Sequence, residues 1–268
     1  MYLSDYHFHT RCSSDSTATL TQQARSAIRA GVRELCVTDH WNLLDQQGNR
    51  LPTVYDWSGP LDQWRQVRSR WPGRLEIRLG LEVGNGVLDP GAVDACLDIP
   101  ELDFVIGSLH SQSAAAGGRG IFTVARQCGK REDGMAVLDD YMNMLEELVR
   151  TDGWDVLGHV IYPLRYLPAE YQLDFRPWRD RLAEVLRETV ARGKGIEFNT
   201  SCGATIGQWR DVLELYRDLG GEVLTLGSDA HRPQYMGAAF PEAVELIRET
   251  GFRYLSVYRH RTPLFSRI

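Results

Sequence analysis

His7 and His9 stand two residues apart in the stretch Asp5-Tyr6-His7-Phe8-His9. In extended backbone, residues two apart project from one face, so both imidazoles can be aimed at a single point. Imidazole nitrogen is a common donor to zinc, manganese and iron, and a catalytic ion must collect its other ligands from elsewhere in the fold. An H-x-H pair alone is also what two ordinary half-buried histidines look like. The rest of the chain has to supply the remaining donors.

It offers them at a recurring place. Short apolar runs alternate with amphipathic stretches, and each run leads into polar chemistry. The strand over 34–38 leads into Asp39-His40, that over 76–81 into Glu82, and that over 104–109 into His110. The run over 155–158 leads into His159, 195–198 into Asn199-Thr200-Ser201, and 222–227 into Ser228-Asp229-Ala230-His231. Helices are expected over 20–31, 61–71, 89–97, 137–150, 174–191, 206–219 and 241–250, with a last strand over 254–257. Two segments, 41–60 and 111–134, read as long loops of the kind that cover active sites. The alternation, about seven or eight times over, predicts a parallel α/β barrel in preference to a doubly wound sheet. In such a barrel the reacting groups come from the C-terminal ends of many strands. His7, His9, His40, Glu82, His110, His159, Asp229 and His231 all sit at or just beyond those ends. His260, in a basic C-terminal stretch, reads as solvated.

Composition narrows the class. A length of 268 residues suits one domain, 1–268, with a single large core. Apolar residues make up 43% and charged residues 25%, the balance of a folded chain, which argues against extensive disorder. A net charge of −6 argues against a nucleic-acid binder that grips many phosphates, while leaving room for a local basic pocket. Cys12, Cys36, Cys96, Cys128 and Cys202 are scattered, odd in number and without C-x-x-C spacing, so they read as reduced thiols of a cytoplasmic protein. No apolar leader opens the chain and no run is long enough to cross a bilayer, so no membrane partner is expected. The sequence sets no oligomeric state.

The motifs taken in order resemble those of the PHP (polymerase and histidinol phosphatase) family: His7-Phe8-His9, Thr38-Asp39-His40, Gly80-Leu81-Glu82, Ser108-Leu109-His110, Gly158-His159 and Gly227-Ser228-Asp229-Ala230-His231. Ser13-Ser14-Asp15-Ser16, Tyr162-Pro163-Leu164-Arg165-Tyr166 and Asn199-Thr200-Ser201 narrow the resemblance to its histidinol-phosphate phosphatase branch. The resemblance implies a distorted seven-stranded (β/α)7 TIM-like barrel carrying three divalent ions, zinc, manganese or iron. It implies that His7, His9, Glu82 and Asp229 hold the first ion. Glu82 would bridge to a second held with His110 and His159, while Asp15, His40 and His231 would hold the third. A carboxylate has two oxygens and can bridge, whereas an imidazole serves one ion.

The implied reaction is hydrolysis of a small phosphorylated substrate, L-histidinol phosphate, to L-histidinol and phosphate in histidine biosynthesis. Clustered ions can lower the pKa of a bridging water and clamp the oxygens of an in-line displacement, so the expected nucleophile is hydroxide. Glu82, Asp229 and His231 form the expected catalytic set, with Asp39 or Asp229 handling protons. Arg165 is the candidate phosphate holder, against a surface ion pair. Asn199 and Ser201 are expected to face substrate. Where that branch tends to continue with glycine and arginine after Asn-Thr-Ser, this chain has Cys202-Gly203-Ala204-Thr205, and Cys202 reads as a packing or lining thiol. Alternatives are a phosphoesterase for another small ester, an exonuclease, and a module that keeps the fold without chemistry.

Overall fold

Residues 2–268 are described by a computed structural model. Seven strands run parallel in the order in which they follow one another: β1 (Leu3–Asp5), β2 (Val32–Val37), β4 (Glu76–Gly84), β5 (Phe104–Ser108), β6 (Val156–Leu157), β7 (Gly195–Asn199) and β8 (Leu224–Gly227). A short β3 (His40–Asn42) pairs with the far half of β4, His40 opposite Glu82. The sheet curls until its ends meet: Tyr6 N–H donates to the Leu226 carbonyl at 2.9 Å, Asp229 N–H to that of His7 at 2.7 Å, and His9 N–H to that of Ala230 at 3.1 Å. The result is a distorted α/β barrel. Because β1 and β8 are short, the closure is made by the segments just past them, which are also the segments that carry His7, His9 and Asp229.

Around the barrel lie α1 (Leu20–Arg29), α2 (Ser58–Val67), α3 (Pro90–Cys96), α4 (Ile121–Arg126), α5 (Arg131–Leu148), α6 (Arg179–Ala191), α7 (Arg210–Asp218) and α8 (Phe240–Glu249). Their apolar stripes face the strands; in α1 that stripe is Leu20, Ala24 and Ala27. Thr19 opens α1 with a capping box: its hydroxyl accepts the Gln22 N–H while the Gln22 side chain accepts the Thr19 N–H. One apolar cluster runs from Phe8 to Leu255. A smaller one fills the bottom of the barrel with Tyr6, Phe104, Val257 and Tyr258.

Several boundaries differ from the sequence reading. The strand expected over 76–81 continues to Gly84, because β3 supplies it with a partner. The segment 41–60 therefore begins as a strand and ends in α2. The segment 111–134 holds α4 and the start of α5, whose first turn is tied by the Asp133 carboxylate reaching back to Lys130 N–H at 3.2 Å. Lys130 is not a usual helix-opening residue, so no capping signal marks that start. The helix expected from 174 opens at Arg179, after Pro177. The last strand is not a barrel strand. β9 (Tyr254–Arg259) and β10 (Thr262–Arg267) form an antiparallel hairpin that closes the lower end, turning through His260 and Arg261 at φ 48° and 65°. No described helix is long and apolar enough to cross a membrane.

Candidate active site

β1 stays extended beyond its paired residues, so Asp5, His7 and His9 share a face. Asp5 lies beneath the other two and accepts the Ser228 N–H at 3.0 Å and hydroxyl at 2.6 Å, which fastens the start of the chain to the Ser228-Asp229-Ala230-His231 segment. His159 and Asp229 both carry positive φ, 22° and 57°, a conformation that side-chain-bearing residues adopt only when their surroundings hold them in it.

Glu82 is the hub, and it is wholly buried. Its Oε1 accepts the Ser108 hydroxyl at 2.7 Å and stands 3.1 Å from His110 Nε2 and 3.0 Å from His159 Nε2. Its Oε2 faces His40 Nδ1 at 2.6 Å, His7 Nε2 at 3.3 Å and His9 Nε2 at 3.6 Å. None of these approaches to Oε2 has hydrogen-bond alignment, so Oε2 and His40 Nδ1 are buried in an ion-pair contact without an aligned hydrogen bond on either. Asp229 Oδ1 lies 3.2 Å from His9 Nε2 and 3.6 Å from both His7 Nε2 and His231 Nδ1. Asp15, half exposed, places Oδ2 3.1 Å from His231 Nε2 and 3.4 Å from His40 Nε2. Three groups have donor atoms within 4.8 Å of one another: His7, His9 and Glu82; His40, Glu82 and His110; His9, His40 and His231.

These donors fit metal ions. The Nε2 atoms of His7 and His9 are 3.1 Å apart, and those of His110 and His159 3.3 Å apart. Two nitrogens each about 2.0–2.1 Å from one ion stand roughly 3 Å from each other. The orphaned Glu82 Oε2 and His40 Nδ1 are the buried atoms such ions would satisfy. The geometry also shares donors more widely than the expected partition, with His40 reaching both Glu82 and Asp15, and His9 belonging to two groups.

Above the donors opens a cavity of about 720 Å³. Arg165 enters it from a 3₁₀ turn over 162–165, with Nη1 donating to Asp229 Oδ2 at 2.7 Å and Nη2 buried without a partner. The alternative of a surface ion pair falls, since the Arg165 side chain is 4% exposed. One wall is aromatic: Phe122 meets Tyr166 at 5.0 Å between ring centres, and Tyr166 meets Tyr162 at 5.2 Å. The rim comes from both long segments, Leu44 to Gln47 and Phe122. They hold each other, Gly120 N–H donating to the Gln46 carbonyl at 3.0 Å.

A PHP domain model matches residues 5–201. The chain belongs to the PHP domain family. It is 31% identical to the probable histidinol-phosphatase of Deinococcus radiodurans over 97% of each chain, and 27% identical to the histidinol-phosphatase of Lactococcus lactis over 95% of this chain and 93% of that one. Its fold matches the crystal structure of histidinol phosphate phosphatase from Lactococcus lactis, complexed with zinc, L-histidinol and phosphate, at a TM-score of 0.82 and 24% identity, covering 98% of both chains.

Electrostatics in this PHP domain follow from burying acids and imidazoles together. Burial opposes charge on Glu82, yet His7, His110 and His40 hold it well below the usual carboxylate range. Asp229 is likewise held well below it, burial being outweighed by His7, His9 and Arg165. Against the same desolvation, Glu197, Glu82 and Asp229 raise His7 well above an ordinary imidazole, and Glu82 and Asp15 push His40 up to about 10. Burial and the neighbouring His40 and His231 drive His9 well down, and burial takes His159 to about 4. The carboxylates thus demand positive charge, and without ions only protons on part of the ring set and Arg165 answer it.

Three polar residues expected at the PHP site stand behind or beside the cavity. Asn199 does not face the cavity: it is fully buried, with its amide donating to Glu197 Oε1 at 2.9 Å and Asp229 Oδ2 at 3.3 Å. Ser201 stands outside the cavity lining as well, its N–H donating to Asn199 Oδ1 at 2.9 Å. Asp39 carries no proton to the site, because its carboxylate is spent on Thr10 N–H, the Thr10 and Ser13 hydroxyls, and Gln63. Residues that the sequence reading missed stand behind the rings: Asn42 on His110 Nδ1 at 2.8 Å, Ser13 on His9 Nδ1 at 3.2 Å, and Glu197 on His7 Nδ1 at 2.6 Å. Glu197 left one signal, a charge inside the short apolar strand Gly-Ile-Glu-Phe-Asn, where a buried acid needs partners.

Proposed function

We propose that this chain is a metal-dependent phosphomonoesterase that hydrolyses L-histidinol phosphate to L-histidinol and phosphate. The observation that carries the reading is the convergence of six imidazoles, Glu82 and Asp229 beneath a cavity that also holds a buried, half-unpaired arginine. The full-length likeness to histidinol-phosphatases names the substrate.

The ions would be held by His7, His9, Glu82 and Asp229, by Glu82, His110 and His159, and by Asp15, His40 and His231. Zinc, manganese and iron all suit such nitrogen and oxygen donors. When bound, divalent ions supply Lewis acidity toward phosphoryl oxygens and make water acidic enough to act as hydroxide at neutral pH. The chain's own groups do the rest. Arg165 presents its free Nη2 edge to phosphate while Nη1 stays on Asp229, which fixes the guanidinium plane before substrate arrives. Glu82 and Asp229 hold the imidazoles in register, and His231, 29% exposed, is the most accessible ring of the set. The organic half of the substrate would lie against Phe122, Tyr162 and Tyr166, a wall suited to a flat imidazole.

One domain over 1–268 is the organisation we propose, supported by the apolar cluster that reaches from Phe8 to Leu255. A cytoplasmic location is supported by five cysteines that are all free. The test is phosphate release from L-histidinol phosphate against a panel of other monoesters and single-stranded DNA, with zinc or manganese present. A preference for L-histidinol phosphate is expected; equal or better turnover of another ester, or release of nucleotides, rejects the substrate.

A further inference from the structure

Glu197 is wholly buried on β7, and it sits behind the imidazoles, away from the cavity. We propose that Glu197 is a positioning residue whose two oxygens brace two histidines of different donor groups at once. Oε1 stands 2.6 Å from His7 Nδ1. A carboxylate oxygen accepts, so Nδ1 donates to it and Nε2 is the nitrogen turned toward Glu82 and Asp229, the one an ion would take. Oε2 accepts the backbone N–H of His159 at 2.8 Å. That is the residue whose φ of 22° requires an external hold, and its ring reaches Glu82 Oε1 at 3.0 Å.

The surroundings keep the brace in place. Asn199 donates to Oε1 at 2.9 Å, and β8 contributes Gly227, where a Cβ would stand 2.3 Å from Glu197 Oε1 and 2.4 Å from His7 Cβ. Only a residue without a side chain leaves room for the carboxylate at that distance. His7 belongs to the group with His9 and Glu82, whereas His159 approaches Glu82 from the side of His110. One side chain therefore sets the relative position of donors for two neighbouring ions. The consequence for ions rests on the metal-centre reading above; the bracing of His159 does not.

Two variants and two measurements separate these. In chelator-treated protein, Glu197→Ala should speed hydrogen exchange at the His159 amide by about 10-fold or more, because its one acceptor among the described residues is gone. In zinc titrations against a competing chelator, Glu197→Ala should weaken the ions that use His7 and His159 by about 10- to 100-fold, while the ion held by Asp15, His40 and His231 keeps wild-type affinity. Glu197→Gln keeps the volume should the alanine variant fail to fold. Whichever way its amide turns, it retains one acceptor and sets an NH2 against the other partner, so it should also lose affinity at those ions. Uniform weakening of every ion, wild-type zinc affinity in both variants, or unchanged exchange at His159 overturns the proposal. A wild-type protein that takes up no zinc rejects the metal-centre reading instead, and the exchange measurement still decides the brace.

Discussion

Glu34 and Glu82 are both wholly buried glutamates, one at each end of the barrel, and they are treated in opposite ways. At the lower end Glu34 is answered on both oxygens. Arg259 of the hairpin donates Nη1 to Oε1 at 2.6 Å and Nη2 to Oε2 at 2.8 Å, Tyr2 donates to Oε2 at 2.7 Å, and Tyr6 to Oε1. At the upper end Glu82 keeps Oε2 without an aligned hydrogen bond, crowded by the rings of His40, His7 and His9. A buried charge with a full set of partners contributes to specifying the fold, whereas one left open is a site waiting for a cation.

The comparison breaks hardest at Glu82. Glu82→Gln or Asp229→Asn should lower phosphate release about 1,000-fold or more, roughly 4 kcal/mol of transition-state stabilisation, with the circular dichroism of a folded protein. Near-normal turnover would remove these carboxylates from the chemistry. The mirror experiment is Arg259→Ala, which strips Glu34 of its nearer cation and leaves only Arg78, whose Nε stands 3.7 Å from Oε1. Urea denaturation should show a loss of about 2–3 kcal/mol, toward the low side for a buried pair because the guanidinium is partly exposed, with kcat per folded molecule unchanged. A fall in kcat would mean that the two ends are coupled.

Zinc should stabilise only through the upper end. At a free concentration about 100 times Kd it should add about 2.7 kcal/mol per independent site, so stripping it with a chelator lowers the melting temperature, and Arg259→Ala should show the same increment. Arg165→Ala should raise KM or lower kcat for a phosphomonoester by roughly 10-fold, with bound metal unchanged; unaltered kinetics would take Arg165 out of substrate binding. The smallest effect concerns pH. Burial would raise Glu34, but Arg259 and the two tyrosines outweigh it and hold its pKa below the usual 4.5. Its stabilising share is therefore complete above the unfolded value and is lost as pH falls through the folded one. Acid titration of wild type against Glu34→Gln should show the extra decline only in wild type.

The upper end was largely legible in the sequence and the lower end was not. Donors past strand ends announce themselves because histidine, aspartate and glutamate are unusual beside short apolar runs, and a barrel brings all its strand ends to one rim. The hairpin escaped because its turn uses His260-Arg261 where positive φ normally selects asparagine or glycine. Asn199 and Asp39 were legible as polar residues at the right height, but their direction was not. Which way each side chain leans depends on Glu197, Thr10 and Gln63, partners remote in the chain.

Arg259 lies 225 residues beyond the carboxylate it neutralises. A nascent chain that has already made β2 and its neighbours must keep Glu34 wet, or carry it into an apolar floor with only Tyr2, Tyr6 and the more distant Arg78 as partners, until the closing hairpin leaves the ribosome. Synthesis and collapse of the barrel are thereby ordered in time: the lower seal acts as a completion check, and a chain broken off before residue 259 should be cleared by proteases while still incompletely packed.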